Sequence, residues 1–86
     1  MPHHSYQEVV QHIVAFLQGK LEGSPPISEE ADLVKDLHVG SLLVFAIVED
    51  LEETYQIVIP LQLLYKQKLQ TVGELARQVV RLIEEK

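Results

Sequence analysis

Ser41 is the residue whose setting most invites chemistry. It follows a stretch of loop-type residues from Glu22 to Gly40 and opens a helical pattern that runs to about Tyr55. A serine at a helix start lies beside backbone N–H groups without intrahelical partners, at the positive end of the helix dipole. A phosphodiester carried there is favourably placed. The same serine is also a good N-cap, and local chemistry alone favours that plainer role. His38, just upstream, raises the idea of a nucleophile–base pair. Its separation across a helix start does not establish contact, and no acid is placed to orient the ring. His38 therefore reads as a loop histidine, and no catalytic residue is assigned.

His4, Glu8 and His12 are spaced four apart, as metal ligands on one helix face can be. Ser5 caps that helix, however, and leaves His4 outside it, so no metal site is assigned. Arg77 and Arg81 lie one turn apart and read as a solvated face. Glu49, Asp50, Glu52 and Glu53 make the second helix acidic, with no Lys or Arg between residues 41 and 60. Such a surface attracts basic partners. Leu43, Val44 and Ala46 fall on its outward side near Ser41. They are either scattered surface apolar residues or a small hydrophobic dock, and both readings stay open. There is no phosphate-binding glycine loop and no carboxylate pair with a site around it.

The elements that must position these groups are few. The chain has 86 residues, 47% hydrophobic and 23% charged, which predicts one globular domain over residues 1–86. A chain this short buries only about 60–65% of its unfolded surface, so its core is thin. It contains no cysteine, which removes disulfides, thiolate metal sites and cysteine nucleophiles together. A small secreted domain usually needs such staples, so a cytoplasmic setting is expected. The formal net charge of −6 argues against nucleic acid and anionic membranes as partners. No apolar run approaches the roughly 18 residues that span a bilayer, and no targeting segment is read at the N-terminus.

Three stretches have helical period and none has convincing strand alternation. The first opens at Ser5, with Glu8 at capping-box spacing, and presents Tyr6, Val9, Val10, Ile13, Val14, Phe16, Leu17 and Leu21. Gly23 and Pro25-Pro26 stop it. In the long loop, Ile27, Leu33, Leu37 and Val39 serve as pins, and Ser28 to Asp32 suit a short turn. On the second helix Leu42, Phe45, Val48, Leu51 and Tyr55 are expected on the buried face. Gln56 to Pro60 reads as an extended connector, because Pro60 biases Ile59 away from the α region. A short helix is expected within residues 61–69. The last helix opens at Thr71 with Glu74 in a second capping box and buries Val72, Leu75, Ala76, Val79, Leu82 and Ile83. Phe45→Ala is expected to cost about 3–5 kcal/mol as a core truncation.

The run Asp36-Leu37-His38-Val39-Gly40-Ser41-Leu42 resembles the acyl carrier protein signature, Asp-Leu-Gly-x-Asp-Ser-Leu. Leu51-Glu52-Glu53-Thr54-Tyr55-Gln56-Ile57-Val58-Ile59-Pro60 resembles the same family's Leu-Glu-Glu-x-Phe-x-x-x-Ile-Pro segment. Thr71-Val72-Gly73-Glu74-Leu75 is similar to the opening of its last helix. The likeness covers nearly the whole chain in order. It implies an all-α bundle of three main helices and one short one. It also implies a 4′-phosphopantetheine arm on Ser41, derived from coenzyme A, whose thiol holds acyl groups as thioesters.

The implied partners are a phosphopantetheinyl transferase and acyl-transferring or acyl-modifying enzymes with basic patches, met through Leu42, Leu43, Ala46, Glu49, Asp50 and Glu53. The implied protein is a monomer and not itself an enzyme. Fatty acid, polyketide, peptide-type and lipid-modifying systems all use this fold. Two positions depart from the family pattern: Gly40 stands where it has Asp, and His38 where it has Gly. The rival readings are an unmodified carrier-fold interaction protein and a small helical adaptor of another class.

Overall fold

A computed structural model of the chain describes residues 5–20, 26–33, 40–60, 62 and 71–85. These contain three helices: α1 (Tyr6–Lys20), α2 (Ser41–Tyr55) and α3 (Val72–Glu84). No strand occurs among the described residues, where an isolated antiparallel bridge joins Asp32 to Thr71. The architecture is all-α, as expected. The short helix expected within 61–69 falls, Gln62 apart, outside the described residues, as do His4, Leu37, His38 and Val39.

Helices α1 and α3 form where local chemistry asks for them. Ser5 Oγ accepts the Glu8 N–H at 3.1 Å and caps α1. Thr71 Oγ1 accepts the Glu74 N–H at 3.1 Å, and its hydroxyl donates to Glu74 Oε1 at 3.3 Å. Val9, Val10, Ile13 and Leu17 of α1 are buried, and α1 packs chiefly against α3. The facing residues of α3 are Val72, Leu75, Ala76 and Val79, with Leu82 and Ile83 half-buried beside them.

The segment before α2 is anchored at its middle. Ile27 and Leu33 are buried, as pins should be, and a turn forms at Glu29–Glu30 with the Ala31 N–H donating to Ser28 O at 3.1 Å. The carbonyl of Ala31 accepts the Val72 N–H at 3.1 Å, and that of Glu29 accepts the Gly73 N–H at 2.8 Å. Gly73 makes this approach possible. A Cβ there would lie 2.6 Å from Tyr6 Oη and 3.1 Å from Glu29 O.

The buried face of α2 corrects the expectation. Leu42 is 87% exposed and Phe45 42% exposed, whereas Ile47, Val48, Leu51 and Tyr55 are buried. Leu43 and Val44, expected outward, are half-buried and pack against the core. The cause is an apolar run from Leu42 to Val48 that leaves the local period undecided. The tie is broken further along. The stripe Val44, Ile47, Val48, Leu51, Tyr55 stays apolar, while the stripe through Leu42 and Phe45 runs into Glu49 and Glu53. Burying that second stripe would strand carboxylates. Phe45→Ala is therefore not a core truncation.

Helix α2 ends at Gln56, which adopts the left-handed conformation (φ 55°, ψ 51°) and donates its N–H to Glu52 O. Glu52 Oε2 then accepts the Ile59 N–H at 2.8 Å. The connector is extended as expected, with Ile57 and Ile59 buried and Val58 77% exposed between them.

Candidate functional site

Helix α2 starts behind an exposed glycine. Gly40, not Ser41, is its N-cap residue, so the plainer reading of Ser41 as the cap does not hold; Ser41 is the first helical residue. Val44 N–H donates to Gly40 O at 3.0 Å, closing the first turn. Among the described residues, none accepts a hydrogen bond from the N–H groups of Ser41, Leu42 or Leu43. The first turn of α2 carries no acidic residue to set against the positive end of the helix dipole. This is the environment in which a covalently attached phosphodiester is stabilised.

Gly40 contributes space and not conformational freedom. Its φ of −88° and ψ of 177° are extended backbone that any residue adopts. A Cβ built there meets nothing within 4 Å.

Beyond Ser41 the outward side of α2 presents Leu42, Phe45, Glu49 and Glu53 at intervals of one turn. All four are exposed, and Ala46 is half-buried beside them. Among the described residues, neither the Glu49 nor the Glu53 side chain has a hydrogen-bond or ion-pair partner. The other two acids of the helix are engaged. Asp50 Oδ2 contacts His12 Nε2, and Glu52 holds the connector. Of the residues expected to meet partners, the structure thus aligns Leu42, Glu49 and Glu53, sets Leu43 against the core, and pairs Asp50 within the molecule. Phe45, expected inside, joins the outward stripe; its spacing from Leu42 and Glu49 was the signal.

The remaining candidates settle as follows. His12 belongs to an interhelical contact: its ring meets Tyr55 edge-on, with centroids 5.6 Å apart. No group of three or more potential metal ligands occurs among the described residues. Burial pushes the Tyr55 hydroxyl pKa up, with the charges of Glu8 and Asp50 acting in the same direction. Partial burial likewise raises that of Tyr6, helped by the charge of Glu29 and a hydrogen bond to it, and opposed by Arg77. Arg77 lies over the Tyr6 ring, 5.6 Å from its centroid, and Arg81 pairs with Glu85 at 3.5 Å. Both arginines are exposed, as a solvated face requires. No described helix is long and apolar enough to cross a membrane.

Comparison with known families gives one match, described as "Phosphopantetheine attachment site", over residues 7–79. That span takes in α1 from its second residue, all of α2 and the buried part of α3. No curated protein matches the chain.

Proposed function

Because the chain belongs to the family of phosphopantetheine-bearing carriers, with 4′-phosphopantetheine as its covalent cofactor, we propose that Ser41 is the attachment residue. The protein is then a single-domain, monomeric, cytoplasmic acyl carrier that catalyses nothing itself. The arm supplies a thiol that holds acyl groups as thioesters; the chain supplies the mooring and the surface that partners read. The observation that carries this reading is the start of α2, where the first turn has no acidic residue and its early N–H groups have no acceptor among the described residues. Leu42 and Phe45 next to it provide apolar contact, with half-buried Ala46 at their side. Glu49 and Glu53 steer basic partners, the transferase first and then acyl-handling enzymes of a fatty acid or polyketide type.

One observation favours a second reading. Gly40 leaves the cap position without the carboxylate that the resemblance calls for, and a transferase that reads this charge acts poorly. The second reading is an unmodified carrier-fold interaction protein. Intact mass after incubation with coenzyme A and a broad-specificity phosphopantetheinyl transferase separates the two. One added arm is expected on the wild type and none on Ser41→Ala. Gly40→Asp should speed the addition if the missing carboxylate is what slows it. A wild-type protein left unmodified by several transferases, one of them from its own source, overturns the carrier reading.

A further inference from the structure

The four acids of α2 are not equivalent: the connector engages Glu52, and α1 engages Asp50. His12 stands on α1 between the buried Val9 and Ile13 and reaches across to α2. There it meets two residues at once: Nε2 contacts Asp50 Oδ2, and the ring packs edge-on against Tyr55. The two contacts fix the imidazole in direction as well as position. Both partners of the pair are only about one-third exposed, at 31% for His12 and 34% for Asp50. Tyr55 is itself buried, and the charges of both Glu8 and Asp50 act on it. His12 therefore bridges Asp50 and Tyr55, and Glu8 acts on the same tyrosine.

We infer that His12 masks Asp50, tying α2 to α1 and reducing the charge that α2 shows a basic partner to Glu49 and Glu53. The masking part rests on the reading of α2 as the partner surface; the clasp itself does not. With Glu52 bound to the connector, the two visible carboxylates stand one turn apart beyond the apolar pair Leu42 and Phe45. A partner suited to this face offers an apolar pocket near the serine and two cations one helical turn farther on. Removing the histidine should then strengthen recognition, because it frees the Asp50 carboxylate to face a partner.

Two measurements on the full chain test this. The first is urea unfolding of the wild type, His12→Phe, Asp50→Asn and the double variant; phenylalanine keeps a ring against Tyr55 without a donor. The double-mutant cycle should show coupling of roughly fivefold in the unfolding equilibrium, the scale of a half-buried charge-assisted pair. The second is the rate of arm transfer by a phosphopantetheinyl transferase at limiting carrier concentration.

At low salt His12→Phe should be about twofold faster than wild type, Asp50→Asn unchanged, and Glu49→Gln with Glu53→Gln several-fold slower. High salt should level these differences. Additive unfolding effects at His12 and Asp50 overturn the clasp. An Asp50→Asn variant as slow as Glu53→Gln, with its fold intact, overturns the masking. A wild type that takes no arm sinks the carrier reading, and with it the masking, while the unfolding cycle still decides the clasp.

Discussion

The N-termini of α2 and α3 are built from the same kind of sequence and finished in opposite ways. At α3 every early N–H has an acceptor: Ala31 O for Val72, Glu29 O for Gly73, and for Glu74 the Thr71 hydroxyl. An acidic residue, Glu74, stands in its first turn. At α2 the cap is a glycine, the first turn has no acid, and the early N–H groups have no acceptor among the described residues. Its last turn has no basic residue either, and carries Glu52 and Glu53 against the dipole. The rules that stabilise a helix are met at the start of α3 and set aside at the start of α2, beside the residue proposed to carry the arm. Departures of this kind mark functional positions better than any single residue type does.

The sharpest way to break this contrast is through α2 itself, which has a buried side and an outward side proposed to meet partners. Leu51→Ala removes a fully buried side chain and should cost about 2–5 kcal/mol, a large share of a small domain's stability. Phe45→Ala, on the outward stripe, should cost about 1 kcal/mol and instead weaken partner engagement. Urea denaturation of the two variants side by side checks this; equal losses would put Phe45 back in the core.

Exchanging the two helix starts gives a smaller effect. Thr71→Ala deletes a formed cap and should cost about 0.5–2 kcal/mol. Ser41→Ala should change thermal stability by no more than about 0.5 kcal/mol, because Gly40 holds the cap position. The missing arm, and not unfolding, then explains any loss of carrier function in that variant.

The smallest change would close the open end. Gly40→Asp fits an unobstructed position and an extended backbone, and it adds both a capping oxygen and a charge at the dipole. A gain of about 0.5–1 kcal/mol is expected, seen as a higher urea midpoint at unchanged slope. A loss of stability would mean that the open start is already satisfied by other groups.

The parts legible in the sequence were those governed by neighbours. The Ser5/Glu8 and Thr71/Glu74 pairs act within one turn, so spacing alone located both caps. The buried faces of α1 and α3 followed from clean apolar stripes. Ile27, Leu33 and the turn at Glu29–Glu30 followed from the need to pin a long loop. The face of α2 was misread because its first half is apolar all round. The decision lay in Glu49 and Glu53, whose burial would have been too costly. The pairing of His12 with Asp50 joins residues 38 apart in sequence, and no local pattern reports such a contact. The bounds of α2, Ser41 to Tyr55, were legible in the sequence, whereas the N-cap position of Gly40 depended on backbone geometry that composition does not encode.

Gly73 has a consequence for how the domain comes together. A glycine near the start of a helix lowers the helicity of the isolated segment by about 1 kcal/mol relative to alanine. Here it also admits Tyr6 from the first helix and the backbone of Glu29 from the middle of the chain. The opening turn of α3 is thus the meeting point of three segments distant in sequence. Such contacts raise the contact order and tie the last helix to the rest of the fold in one cooperative step. The amide protons of Val72 and Gly73, bonded to Ala31 and Glu29, become reporters of that union, exchanging with solvent only when the central segment lifts away.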